Sequence, residues 1–525
     1  MIVPAELHRL LEESVSLALI DVREHGEYNA AHIPGASSVP RRQLEFRMAR
    51  LVPFGGARVV VCDDDGRRAA LAADTLDRMG YSTVDVLEGG LNRWASDGFP
   101  TEWGMNVLSK DFGERVEVRH HVPTIEAREL HERLARGDDV VILDTRTPEE
   151  YRDRCIPGGR SVPGGELALR IADIQAERPD AAVVVNCAGR TRSIIGARVL
   201  QRMGLPNVVS LKNGTSGWVL AGLDLEHGAS RLELPEPTPE GRARAETFAA
   251  QVAREDGVRM LGIDDLRALA GRSGQQPVYL SDVRTEREYA EGHIPGIWSF
   301  PGGQAVQRAD DAVAVRDGQV VFCCDGIVRA AVTASWYRQM GFPNVYAVDG
   351  GVRAWAAHGL PLERGPNEVE PFGLAEARAR VATVTPEALS VAMSSERRPT
   401  VIFVDTSREF ALGHVPGARW LQRGWLEFRI AELAPDLGTP IVVSDADGRN
   451  ALLSGATLRN LGYQNVSALA GGMDAWRGAG LPVETGLAGV MAPPDDVVPM
   501  GPNRTHADMI QYLRWEEALG KKYET

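Results

Sequence analysis

Short apolar runs separated by amphipathic stretches recur along the whole chain. The stretch 140–211 shows the pattern most clearly. Val140-Val141-Ile142-Leu143, Val183-Val184-Val185 and Val208-Val209-Ser210-Leu211 read as strands. Between the last two, Ser193 to Met203 carries Ile194, Ile195, Val199 and Leu200 at helical spacing. Strands that are apolar on both faces and alternate with helices predict a parallel sheet covered on both sides. The expected fold class is therefore α/β, with ligands bound where a strand ends and a loop turns into a helix N-terminus.

The pattern repeats four times. Gly89-Gly90, Asn213-Gly214, Gly350-Gly351 and Gly471-Gly472 each lead, four residues after the second member, to a tryptophan: Trp94, Trp218, Trp355 and Trp476. Thirty-one residues before each tryptophan stand Asp63, Cys187, Cys324 and Asp445, each at the end of a short apolar run. A second set of landmarks keeps the same order. Asp21-Val22-Arg23, Asp144-Thr145-Arg146, Asp282-Val283-Arg284 and Asp405-Thr406-Ser407 are followed by His32-Ile33-Pro34-Gly35, Cys155-Ile156-Pro157-Gly158, His293-Ile294-Pro295-Gly296 and His414-Val415-Pro416-Gly417. The intervals between the four leading aspartates are 123, 138 and 123 residues. The wide middle interval contains Leu234-Pro235-Glu236-Pro237-Thr238-Pro239-Glu240, a Pro/Glu-rich stretch that reads as a linker. The expected organisation is two tandem pairs of domains: 1–104 and 118–228, a linker at 229–245, then 246–364 and 378–486. A tail, 487–525, follows, in which Thr505 caps a helix carrying Met509, Ile510, Leu513, Trp515 and Leu519. Its apolar face is expected to dock on a domain of the same chain.

Composition narrows the function classes. The 525 residues carry a net charge of −14, which argues against nucleic acid or an anionic membrane as the main partner. Met1-Ile2-Val3-Pro4-Ala5-Glu6 lacks the basic flank and apolar run of a secretory signal, and no stretch approaches the length needed to span a bilayer. Five cysteines are too few for a disulfide framework and fit a reduced compartment, so a cytoplasmic location is expected. No metal-ligand cluster or Gly-rich nucleotide fingerprint is visible, and neither a metal nor a cofactor is expected.

The Asp-x-Arg, His-Ile-Pro-Gly, cysteine-loop and Gly-Gly-x-x-x-Trp landmarks, in that order and four times over, resemble the rhodanese domain of sulfurtransferases. The resemblance covers nearly the whole chain apart from the linkers and roughly the last forty residues. It implies a sulfur relay. A cysteine thiolate attacks a sulfane donor such as thiosulfate, holds the sulfur as a persulfide, and passes it to a cyanide or thiol acceptor. The candidate loops are Cys187-Ala188-Gly189-Arg190-Thr191-Arg192 and Cys324-Asp325-Gly326-Ile327-Val328-Arg329.

The residues argue for this chemistry on their own terms. A thiol becomes a nucleophile as thiolate, and a helix N-terminus with a nearby arginine lowers its pKa. Converging loop amides form an anion nest, and Gly189 and Gly326 let the loops curl. Arg190, Arg192 and Arg329 are the expected substrate-binding cations. Arg192 and Arg329 lie five residues after their cysteines, a shorter loop than the six-residue spacing of related phosphatases. Cys62 and Cys323 fall one position early, where strand alternation turns them away, and Cys155 replaces the usual histidine before Ile-Pro-Gly; all three read as packing residues. In the first and fourth repeats the loops read Asp63-Asp64-Asp65-Gly66-Arg67-Arg68 and Asp445-Ala446-Asp447-Gly448-Arg449-Asn450. Asp63 and Asp445 cannot carry a persulfide, but a carboxylate can fill the nest, which suits a structural or recognition role. The second loop has two arginines and no acid, whereas Asp325 offsets Arg329. Thiosulfate, a dianion, is therefore expected to prefer Cys187. The competing functions are a persulfide carrier or sensor that delivers sulfur to a protein partner, and a largely non-catalytic interaction scaffold.

Overall fold

The computed structural model describes residues 1–366, 369–499 and 504–524. Each repeat folds as a parallel sheet flanked by helices. In the second, the strands lie in the order Thr124–Ile125, Val208–Leu211, Ala182–Asn186, Val140–Asp144 and Arg160–Ser161, all parallel. The third and fourth repeats have the same five-stranded order, with Gln319–Cys323 and Ile441–Ser444 at the centre. The first has four strands, Ser37–Ser38, Ala18–Asp21, Arg58–Cys62 and Thr83–Val86. Beyond them Ile2 makes a single parallel bridge to Leu87, where the others place a fifth strand. The central strands are buried almost throughout, as expected for sheets covered on both faces.

The landmarks have structural causes. The second glycine of each pair adopts left-handed backbone and lies against the carbonyl of the loop's first residue. A Cβ at Gly214 would stand 2.2 Å from the Cys187 carbonyl oxygen, and one at Gly351 1.9 Å from that of Cys324. Only glycine tolerates both the conformation and the approach. The next amide then donates to that same carbonyl: Leu91 to Asp63 at 2.7 Å, Thr215 to Cys187 at 2.9 Å, Val352 to Cys324 and Met473 to Asp445 at 2.8 Å. The constant spacing from loop to tryptophan is thus held by a contact between its two ends. Asp144 and Arg146 form a buried pair that also binds the Arg154 carbonyl, and the first and third repeats do the same. His32, His293 and His414 are buried, stacked on an aromatic ring, and bond its backbone carbonyl through Nδ1.

The chain divides into two compact units. One contains Met1–Met105 and Glu368–Val498, and the other Asn106–Asn367 and Pro499–Thr525. The first repeat therefore pairs with the fourth and the second with the third, which corrects the expectation of two tandem pairs. In the outer pair, Glu45 binds Arg423 in a buried ion pair, and Phe46 packs against the fourth repeat's core. In the inner pair, the backbones at Gly165 and Gly302 meet so closely that a Cβ at Gly165 would lie 3.0 Å from the Gly302 Cα. Beside this contact Glu166 of the second repeat reaches Arg329 of the third at 2.8 Å.

Two further expectations change. The stretch 229–245 is not irregular throughout: a helix, Pro239–Glu255, begins inside it. Thr238 caps it and Pro239 occupies its first turn, where proline's missing N–H costs nothing. The tail helix spans His506–Gly520 with Thr505 as its cap, and it docks on the helix Val107–His120 of the same unit. Its buried face is Met509, Leu513, Glu516 and Gly520, while Ile510, expected on that face, is 40% exposed. A glutamate in the buried stripe is what the apolar pattern could not foresee.

Candidate active site

All four loops occupy the same place, at the carboxyl end of the central strand and before a helix of 12 residues: Arg67–Arg78, Thr191–Arg202, Val328–Gln339 or Arg449–Asn460. The first and fourth loops show what this place binds. The Asp63 carboxylate accepts from the amides of Gly66 at 2.5 Å, Arg68 at 2.7 Å and Ala69 at 3.2 Å. Asp445 accepts from Gly448 at 2.7 Å and Ala451 at 3.0 Å. These loops are anion nests, each filled by its own side chain. Burial, reinforced by the nearby Asp405, still pushes the Asp445 carboxyl up to about 7.

The other two nests hold sulfur. Cys187 is buried and its thiol donates to Ser193 Oγ at 3.4 Å; Ser193 in turn donates to the Arg190 carbonyl. Cys324 is fully buried, and burial pushes its thiol up to about 11. Arg329 and the amides of Ala330 and Gly326 oppose that rise, whereas Asp325 adds to it. Cys62 and Cys323 end their strands among core side chains, where burial raises both thiols well above the ordinary range. Cys155 is likewise buried beside Tyr151, with its thiol raised by burial. None of the five is in a disulfide.

The arginines are less available than their sequence positions imply. Arg192 is gripped by Glu150 at 2.7 and 2.9 Å; burial resists ionisation there, but the guanidinium prevails and draws the Glu150 carboxyl down to about 2. Arg190 binds Glu114 at 2.7 and 2.8 Å, Glu117, and Glu517 of the tail helix at 3.3 Å. Arg329 binds Glu166, Glu288 and Asp325 at 2.7–2.8 Å. Asp325 also meets Arg242 at 3.0 Å and Arg353 at 3.6 Å. The second loop is thus ringed by carboxylates brought from other elements, so the premise that it carries positive charge with no acid does not hold. No pattern in the sequence points to Glu114, Glu117, Glu516 or Glu517 at this site, because they come from helices outside the repeat.

The glycines also act differently than expected. Gly189 and Gly326 do not adopt left-handed backbone, whereas Gly66 and Gly448 of the carboxylate loops do. The first two lie under side chains from elsewhere: a Cβ at Gly326 would lie 2.6 Å from an Arg353 nitrogen and one at Gly189 3.1 Å from Glu516 Oε2, so a larger residue would have to displace the ends of those side chains.

Comparison with known proteins decides the family. The rhodanese-like domain model matches residues 3–97, 126–221, 263–358 and 385–479, well over half of the chain. The chain belongs to the rhodanese family. This rhodanese-type sulfurtransferase resembles a thiosulfate sulfurtransferase of Azotobacter vinelandii, 28% identical over 257 residues, which are 42% of this chain and 93% of that protein. A sulfurtransferase of Allochromatium vinosum is 31% identical over 104 residues, 20% of this chain and 94% of that one. A crystal structure of a thiosulfate sulfurtransferase from Pseudomonas aeruginosa matches with a TM-score of 0.90 at 36% identity, covering 100% of this chain and 98% of that chain. Among the described residues, no helix is long and apolar enough to cross a membrane.

Proposed function

We propose that this rhodanese moves sulfane sulfur from thiosulfate or a similar donor to cyanide or a thiol, through persulfides on Cys187 and Cys324. The observation that carries this reading is the equivalence of the four nests. Where the first residue is aspartate, loop amides bond its carboxyl oxygens; where it is cysteine, the same amides can stabilise a thiolate and then the charge of a persulfide. The step is covalent catalysis. The thiolate attacks the outer sulfur of the donor, sulfite departs, and the acceptor later attacks the retained sulfur and releases the thiolate. Arg190, Arg192 and Arg329, with Gly189 and Gly326, shape the two binding loops.

The domains run 1–104, 118–228, 246–364 and 378–486, and only the second and third carry sulfur. The first and fourth serve as structural or recognition modules. A cavity of about 230 Å³ in their unit, lined by Glu27, Trp420, Trp425 and Arg429 among others, supports recognition. Five unpaired cysteines suit a reducing cytoplasm. Intact-protein mass spectrometry after exposure to thiosulfate, with Cys187 and Cys324 replaced in turn, tests the assignment. Addition of one sulfur should require one of these two cysteines. Rapid multiple turnover supports the enzyme, a single loading event the carrier with a protein acceptor, and no loading of either cysteine the scaffold.

A further inference from the structure

The tail helix brings an unused carboxylate to the Cys187 loop. Glu516 is 1% exposed, and its two oxygens are treated differently. Oε1 accepts from the Tyr512 hydroxyl at 2.7 Å and faces the Thr191 hydroxyl of the loop at 3.5 Å. Among the described residues Oε2, which is buried, has no hydrogen-bond partner, and it lies over Gly189, where a Cβ would come within 3.1 Å of it. A buried acceptor without a donor is costly, on the order of 1–3 kcal/mol. Its position two residues along the loop from Cys187 suggests that the donor arrives with a substrate. Lys110 and Glu114 of the helix Val107–His120 also face this carboxylate, and Arg504 stacks on the Tyr512 ring.

We infer that Glu516 is a catalytic base of the Cys187 site, and that the acceptor it serves is a small thiol. This rests on the reading of Cys187 as a persulfide carrier. The acceptor sulfur attacks the outer sulfur of Cys187–S–SH and forms the new S–S bond. The bond between Cys187 Sγ and that outer sulfur breaks, its electron pair returns to Sγ as thiolate in the nest, and the acceptor's thiol proton passes to Glu516 Oε2. Nothing is oxidised or reduced overall, and the product is the acceptor's persulfide. Without the base, the acceptor must ionise in solution before it attacks. A thiol of ordinary pKa is only about 3% ionised at pH 7, which sets the benefit at about 10- to 30-fold.

The test uses the full chain in a Cys324→Ala background, so that only Cys187 can carry sulfur. Cys187 is loaded with thiosulfate, and discharge is followed at pH 7 with thiols of graded pKa and with sulfite, which attacks without losing a proton. Glu516→Gln should slow discharge to a thiol of pKa near 8.5 by about 10- to 30-fold. The deficit should shrink as the thiol becomes more acidic or the pH rises, while discharge to sulfite stays unchanged. Glu516→Asp, which keeps the carboxylate, should recover part of the rate, and melting curves show whether each variant folds. Equal slowing of sulfite and thiols, or a deficit independent of thiol pKa, overturns the inference and leaves the persulfide reading standing. Faster thiosulfate loading in Glu516→Gln with thiol discharge unaltered would make the carboxylate a screen against anions and would also overturn it. If Cys187 accepts no sulfur in any variant, both readings fall together.

Discussion

Asp325→Asn should make Cys324 more reactive. Cys324 sits at about 11, raised first by burial and further by Asp325, its immediate neighbour in the loop. At pH 7 only about one molecule in 10⁴ then carries the thiolate. A unit charge about 6 Å away, at an effective dielectric constant of about 20, is worth ~3 kcal/mol, or ~2 pKa units. Removing the Asp325 charge also leaves Arg329 with two carboxylate partners instead of three. The midpoint should therefore fall to roughly 9, and the thiolate fraction at pH 7 should rise about 100-fold. A less basic thiolate is a poorer nucleophile, which takes back a factor of about 8, so the net gain is about tenfold. The assay is the pH dependence of alkylation by iodoacetamide, a neutral reagent, in a Cys187→Ala background; the buried Cys62, Cys155 and Cys323 serve as internal controls. An unchanged midpoint, or alkylation no faster than in the parent at pH 7, would refute the electrostatic reasoning.

Other outcomes follow from the same contacts. Gly351→Ala should cost about 2 kcal/mol or more, because its backbone is left-handed and the added Cβ would press on the Cys324 carbonyl; thermal unfolding and sulfur loading of Cys324 should both suffer. Asp63→Cys should not by itself give full sulfur transfer, since two acids, Asp64 and Asp65, follow it in the loop and oppose a thiolate there; full transfer in a protein lacking Cys187 and Cys324 would count against a specialised role for the first domain. Asp445, raised to about 7, holds its proton in the fold at pH values where the unfolded chain has lost it. Its contribution to stability is therefore present at low pH and declines as pH rises from near 4 through about 7, by on the order of a few kcal/mol. Asp445→Asn should flatten that slope, as denaturant titrations at pH 5 and pH 8 can show.

Much of the fold is legible in the sequence because the landmarks are touching ends of one contact. Gly214 against Cys187 and Gly351 against Cys324 keep a fixed separation along the chain because they meet in space. Apolar runs reveal central strands for a similar reason, since both faces are covered. Domain pairing escapes this reasoning. The meeting of Gly165 with Gly302, or of Glu45 with Arg423, depends on surface complementarity between repeats and leaves no periodic trace. The charge balance at Cys187 is hidden for a related reason. Its loop shows two arginines, but Glu114, Glu117 and Glu517 arrive from helices before and long after the repeat, and Glu150 from an earlier segment of it.

The nested order of the domains, with the inner two contiguous and the outer two drawn from opposite ends, bears on how the chain is made. The second and third domains can associate as soon as the third emerges from the ribosome. The first cannot, because its partner ends at Val498, 393 residues after Met105. At ~5–20 residues per second the first domain waits roughly 20–80 s with its pairing face uncovered. Glu45 on that face is a charged group, buried in its ion pair with Arg423 of the fourth domain. A carboxylate on that face disfavours apolar partners until Arg423 has been made.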